Sequence, residues 1–355
     1  MESYRKTKAI IHLGAIRRNT QRIIQRYPDY EYYMAVVKAD CYGYRGNQVV
    51  QAMIDGGANC LAASLLEEGI ALRNSFSDLP ILLFTPVQKE QLVLCAQHNL
   101  WVTVATLEQA KDAAQVEGLQ TVIRVNGGFD ILGGPKDQQG FEAIYQTLCS
   151  AKSTLVGLYL HNYHTESESD TLKEYESFEQ LTRNVDFNAL DWVSVSNSLS
   201  LPRYAKRNHC NACRLGNILY GIETEDESLE QTFSLESQIL TTFTLNKDQS
   251  VAYSRAYTAT KDTERIAAIP LGFGDGFCKT NIGRDVFIHG KRFPIVAVTM
   301  DITLVRVDES VKTGDTVAVI QDNRHLDEIS AHIHGATEEA ITLLNKRVYR
   351  EYKED

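Results

Sequence analysis

The sequence predicts an α/β fold, a parallel (β/α)8 barrel followed by a mainly β C-terminal domain. Three observations carry that expectation. Eight short apolar runs recur between about residues 33 and 221, helix-period segments separate them, and after about residue 230 the texture changes to β-type runs with hairpin punctuation.

The eight runs are "YMAVVKA", "CLAAS", "PILLFT", "LWVTVA", "TVIRVN", "LVGLYLH", "WVSVSN" and "CRLGNILYG". They are rich in Val, Ile, Leu and Ala with little polar alternation, as expected of strands covered on both faces. Between them, "NQVVQAMIDGG", "LEEGIALRNSF", "KEQLVLCAQHNL" and "FEAIYQTLCSAK" repeat apolar residues at helical spacing. Farther on, "SLESQILTTFTL", "RIAAIPLG", "DVFIHGKRFPIVAV", "TLVRVD" and "DTVAVIQD" read as strands, with "HGK" as a hairpin turn. The tail "EISAHIHGATEEAITLLNKR" returns to helical spacing. The expected domains are residues 9–228 for the barrel and 229–355 for the β domain, with residues 1–8 joining the latter.

Composition narrows the function. The chain has 355 residues, 43% hydrophobic and 23% charged, enough for two cores and unlike a disordered or collagenous chain. A net charge of -10 argues against broad contact with nucleic acid or an anionic membrane, which needs clustered Lys and Arg. No run approaches the roughly 18 apolar residues of a membrane span, and "MESYRKTKAI" has no apolar signal segment, so a cytoplasmic protein is expected. Seven cysteines suggest no disulfide framework. "HCNAC", with His209, Cys210 and Cys213, lacks a second Cys/His pair at zinc spacing, so buried thiols and no metal are expected.

Barrel enzymes carry reactive groups at the carboxyl ends of their strands. Here those ends present Lys38, Asn126, His161, Asn197 with Ser198, and Arg214 with Gly216. An amine desolvated by an apolar strand is favoured in its free form and can attack an aldehyde. The plain alternative is a lysine that snorkels from the strand end into water. "SNSLS" and "RLGN" add hydroxyls and backbone N–H groups where barrels bind phosphate. A lysine of this kind facing a phosphate cradle points to pyridoxal 5'-phosphate or to a phosphosugar aldolase. Arg214 bears on that choice. Against the pyridine nitrogen, an arginine limits delocalisation of a carbanion, which suits proton exchange at Cα; its plain alternative is an ion pair inside the barrel.

These segments resemble the alanine racemases, pyridoxal-phosphate barrel enzymes of fold type III. "AVVKADCYG" is similar to their cofactor-lysine motif, with Asp40 where Asn is usual. "LHNYHTES", "VSNSLS" and "CRLGNILYG" resemble their histidine, phosphate and arginine segments. "AYSRAYTA", "IPLGFGDGF" and "PIVAVTMDI" resemble three motifs of their C-terminal domain, in order. The resemblance implies that Lys38 is the Schiff-base lysine and one acid-base group, and that Tyr253 of a second subunit is the other. It implies that His161 hydrogen-bonds Tyr253 and Arg214, and that Arg214 faces the pyridine nitrogen. Tyr42, Asn197, Ser198, Gly216 and Asn217 would hold the cofactor around its phosphate. Arg124, Phe273, Met300 and Asp301 would border the substrate carboxylate, Met300 through its backbone N–H. The implied species is a homodimer with composite sites.

The pattern breaks at the substrate end. Arg124 stands where the family usually has a lysine, often carbamylated, and Ile131 where it has an arginine. A fixed guanidinium can replace that pair without modification. Phe273 replaces a tyrosine, Glu166 an aspartate, Lys279 and Val298 arginines, and Lys346 falls near a gate tyrosine. The expected activity is therefore racemisation of alanine or a related amino acid. The alternatives are a non-catalytic pyridoxal-phosphate carrier, which would need neither Tyr253 nor a full β domain, and a fold type III decarboxylase, which Arg214 opposes.

Overall fold

The computed structural model describes residues 4–222 and 226–355. The chain divides into two compact units, one of Arg17–Cys41 and Val49–Leu219, the other of Met1–Ile16, Tyr42–Gln48 and Tyr220–Asp355. The first strand, β1 (Lys8–His12), belongs to the second unit.

The first unit is the barrel. Strands β2 (Tyr32–Val36), β3 (Cys60–Ala63), β4 (Ile81–Leu83), β5 (Trp101–Val104), β6 (Gln120–Val125), β7 (Thr154–Leu160), β8 (Trp192–Asn197) and β9 (Ala212–Leu215) close in sequential order. All neighbours are parallel, β2 and β9 included. All eight runs expected as strands are strands. β3, β4, β5 and β9 are buried along their whole length, which is why they carry no polar alternation. Helices Asn47–Asp55, Leu66–Ser75, Leu92–Gln97 and Gln138–Cys149 occupy the four helical segments. Thr106, Asp137 and Ser167 cap later helices by accepting from backbone N–H groups. A Cβ at Gly157 would lie 2.0 Å from the Trp192 carbonyl, so only glycine lets β7 approach β8. The β8–β9 register shifts between Ser194 and Ser196, and this bulge re-aims the end of β8.

The second unit holds β10 (Phe233–Gln238), β11 (Thr241–Asn246), β12 (Ser250–Val251), β13 (Tyr257–Thr258), β14 (Thr263–Ile269), β15 (Asp285–Ile288), β16 (Lys291–Val298), β17 (Thr303–Val307), β18 (Thr316–Ile320) and β19 (Tyr349–Lys353). Nine strands form one sheet in the order β11-β14-β17-β16-β15-β18-β10-β1-β19, and β12 and β13 form a separate hairpin. His289 and Gly290, both with positive φ (51° and 75°), make the two-residue turn expected at "HGK".

This division differs from the boundary at 9 and 228. β1 is antiparallel to β10 and parallel to β19, so backbone hydrogen bonds tie residues 8–12 to the C-terminal sheet. Residues 42–48 join them because Tyr44 is buried against Tyr220 and Phe233, with its hydroxyl 2.8 Å from Thr232 Oγ1. Among the described residues, no helix is long and apolar enough to cross a membrane.

Candidate active site

Lys38 follows β2 and is half-buried. The next four residues, Ala39, Asp40, Cys41 and Tyr42, all have φ between 52° and 56°, a left-handed turn. Each such residue costs roughly 1–2 kcal/mol, so the turn persists only where its surroundings impose it. Glu68 is one restraint. Its carboxylate accepts from Ala39 N–H at 2.7 Å and from Ser64 and Leu65 N–H at 2.9 and 3.0 Å, joining the turn to the start of helix Leu66–Ser75. Sequence reasoning missed Glu68, although a glutamate three residues after the start of a helical run is a capping signal. Tyr42 is buried with its ring 4.9 Å from that of Tyr220.

Arg214, on β9, is buried inside the barrel, and among the described residues no carboxylate pairs with it. Its Nε donates to Ser194 Oγ (3.1 Å), its Nη2 to the carbonyls of Leu160 and Val195, and its face covers the Tyr159 ring at 5.1 Å. Burial pulls the guanidinium down to about 10, still cationic at neutral pH. Nη1 lies 3.0 Å from His161 Nδ1. An arginine can only donate, so Nδ1 must accept and the proton of neutral His161 sits on Nε2. Burial, then the charges of Arg214, Arg124 and Lys38, push His161 down to about 3.

Arg124, on β6, is 4% exposed. Its Nη2 donates to the Phe129 carbonyl at 2.7 Å and the Phe129 ring lies 5.6 Å away, while Nη1 has no partner among the described residues. The nearby carboxylate of Asp130 is engaged by Asn126 (2.8 Å) and Lys136. The barrel mouth thus gathers Lys38, Arg124 and Arg214 around a neutral histidine, an arrangement suited to anions. Phe129 also lies 5.5 Å from His161 and stacks on Tyr163, a role the sequence did not signal.

Ser198 Oγ accepts from Gly216 N–H at 2.8 Å, so the hydroxyl after β8 and an amide after β9 converge. Asn217 is buried beside them in sequence. Asn197 behaves differently from the expectation of direct cofactor contact. Its Nδ2 donates to Asn162 O and its Oδ1 accepts from Leu199 and Ser200 N–H, so it shapes the turn that presents Ser198. Asn126 likewise organises its own loop, through Asp130, Gly133, Gly134 and Gly128. Ile131 is 65% exposed. Cys210 and Cys213 are separately buried thiols, Cys210 pushed up to about 12 by burial, and His209 stacks on Phe187.

In the second unit, Tyr253 stands between β12 and β13 and is 80% exposed. Ala252, Ser254 and Arg255 flank it with φ of 63°, 56° and 55°. The hairpin is fixed at its base. Val251 and Tyr257 pack on the cluster of Leu245, Ile266 and Leu304, and the Tyr257 hydroxyl donates to buried Glu264. Burial raises the Glu264 carboxyl, but donors from Tyr257, Lys261 and Thr260 prevail and hold it at about 2.

The motif "GFGDGF" meets the loop 299–302. Phe273 and Gly274 N–H donate to the Thr299 and Met300 carbonyls at 2.9 and 2.8 Å, and a Cβ on Gly272 would lie 2.4 Å from Met300 O. Phe273 and Met300 are exposed, and Lys279 lies 5.6 Å from the Phe273 ring. Asp275 is fully buried and accepts from Gly272 N–H and Arg5 at 2.9 Å each; Arg347 lies 3.3 Å from it and donates to Asp301 at 2.6 Å. This bridge was not foreseen, because arginines at 5 and 347 are too distant in sequence to be paired by pattern. Val298 is buried in β16, so it packs rather than lining an opening. Lys346 is exposed, and Glu166 lies 3.9 Å from Arg203.

Comparison with known proteins agrees with this fold. The model of the alanine racemase N-terminal domain matches residues 11–224, and that of the C-terminal domain matches residues 232–352. Alanine racemase 1 of Bacillus subtilis (strain 168) is 29% identical over 99% of this chain and 94% of its own. The crystal structure of alanine racemase from E. faecalis superposes with a TM-score of 0.90 at 26% identity, covering 99% of both chains. Histidine racemase from Leuconostoc mesenteroides shares the fold with a TM-score of 0.85 at 20% identity, covering 99% of both chains. With both domain models matched in order across nearly its whole length, the chain belongs to the alanine racemase family.

Proposed function

We propose that this chain, an amino-acid racemase by family, interconverts the L and D forms of alanine or a related amino acid in composite sites of a homodimer. The residues present fit pyridoxal 5'-phosphate. Ser198 Oγ and Gly216 N–H converge where a phosphate would sit, Arg214 is a buried cation with no acid beside it among the described residues, and Lys38 stands at the same mouth. Asn217 and Tyr42 would complete the cradle, with Asn197 setting its shape. Bound there, the cofactor would acidify the substrate Cα–H by drawing electrons into its ring.

The chain's own groups then divide the work. Racemisation needs an acid and a base on opposite faces of one carbon, because a single fixed group tends to return the proton to the face it left. Lys38 Nζ serves one face. Tyr253 of the partner subunit serves the other, since its exposure on a rigidly based hairpin suits insertion into a second copy. His161 Nε2–H is placed to donate to that phenol oxygen and stabilise its deprotonated form. Arg124 Nη1 supplies the cation for the substrate carboxylate, with the Met300 backbone, Asp301 and Phe273 of the partner bordering it.

The observation that carries the proposal is the Arg214–His161 pair, a buried cation where a decarboxylase or transaminase would need an acid. The test is deuterium incorporation at Cα from D2O over a panel of amino acids, with both enantiomers assayed. Exchange accompanied by appearance of the antipode supports the reading. Absence of exchange on every amino acid, with cofactor bound, refutes it.

A further inference from the structure

The second unit buries another cation, remote in sequence from the barrel arginines. Arg284 is 6% exposed. Its Nε donates to Asn281 Oδ1 at 2.6 Å, and its Nη1 donates to the Asp285 and Val319 carbonyls at 3.0 Å each. All three acceptors are neutral. The Asp285 carboxylate makes its ion pair with Arg292, at 3.9 Å, and among the described residues no carboxylate lies within ion-pair distance of Arg284, although the charge of Asp285 acts on it from farther off. Nη2 is buried and has no partner among the described residues. The Phe277 ring covers the guanidinium at 5.1 Å.

A cavity of about 20 Å³ adjoins it, lined by Arg284 with Cys278, Thr280 and Asn281 and by apolar side chains including Phe277 and Ile329. That volume admits one water-sized particle. A water would satisfy the hydrogen bond of Nη2 but leave the charge balanced only by the more distant Asp285. A small anion does both. Burial draws the guanidinium down to about 9, and the opposing charge of Asp285 does not offset it.

We propose that this cavity is a binding site for a monovalent halide, chloride in solution, held by Arg284 Nη2 with Thr280 and Asn281 beside it. Gly276 and Phe277, also in the lining, end the "GFGDGF" turn, and Ile329 belongs to helix Asn323–Ile333. The ion therefore braces that turn against the helix.

The test uses the cofactor-loaded protein at constant ionic strength, melted in sodium chloride and in sodium gluconate, whose anion is too large for the cavity. The Tm rises by a few degrees with the logarithm of chloride concentration. Arg284→Met loses that dependence. Crystals grown in bromide show an anomalous peak at hydrogen-bonding distance from Arg284 Nη2. Melting that ignores chloride, a chloride effect that survives Arg284→Met, or bromide crystals without that peak would each overturn the proposal. If Arg284→Met fails to fold, the bromide crystal decides alone.

Discussion

Asp275→Asn isolates the bridge that holds the loop 299–302. The native carboxylate is fully buried, accepts from Gly272 N–H and Arg5 at 2.9 Å, and lies 3.3 Å from Arg347. Asparagine keeps the shape but loses the charge, and its amide places a donor against one of three donors. An unsatisfied buried donor costs about 1–3 kcal/mol. Breaking a fully buried ion pair costs about 3–5 kcal/mol, but the arginine side chains are 24% and 45% exposed, so solvent screens much of that. The expected loss is about 3 kcal/mol, or a fall in Tm of roughly 6–12 °C for a unit of this size. Arg347 also grips Asp301, so the loop carrying the Met300 backbone loosens, and KM rises more than kcat falls. Thermal melts and steady-state racemisation measure both effects. Asp301→Asn is the control, since it removes only the exposed limb and costs under about 1 kcal/mol. An Asp275→Asn protein that melts within about 2 °C of wild type with unchanged KM would refute the reasoning.

Four further outcomes are expected. Arg124→Gln removes a charged donor worth about 1.5–3 kcal/mol, so KM rises about 10- to 100-fold with cofactor binding retained; an unchanged KM places the carboxylate elsewhere. Lys38→Ala abolishes the visible absorbance of the cofactor-loaded protein, and a persisting band argues against the assigned amine. Tyr253→Phe keeps that absorbance but slows proton transfer at one face about 100-fold or more, read as Cα-deuterium washout without racemisation from one enantiomer, and equal loss of washout from both enantiomers counts against a two-face division. For His161, the folded value of about 3 lies below the ordinary 6.5, so the unfolded chain binds more protons between them. Its contribution is fully present above pH 6.5 and declines as pH falls towards 3. Denaturant titrations of wild type and His161→Gln should diverge less at pH 4 than at pH 7, and an equal difference at both would exclude this linkage.

The barrel strands and the hairpin at His289 were legible in the residue order, because periodicity, turn chemistry and apolar runs are local properties. It also placed Lys38, His161, Ser198 and Arg214 at strand ends, since a parallel barrel brings all carboxyl ends to one rim whatever lies between them. The folded chain, by contrast, was needed to show that β1 and the polar strand β19, whose "YREYK" reads as neither core nor turn, pair with each other in the C-terminal sheet. It alone showed that Asn197 is spent on a turn, that Glu68 restrains the left-handed segment, and that Arg5 and Arg347 meet on Asp275. Such partnerships depend on which side chains converge after the chain closes on itself. A hydrogen bond or ion pair across hundreds of residues leaves no periodic mark in the sequence that makes it.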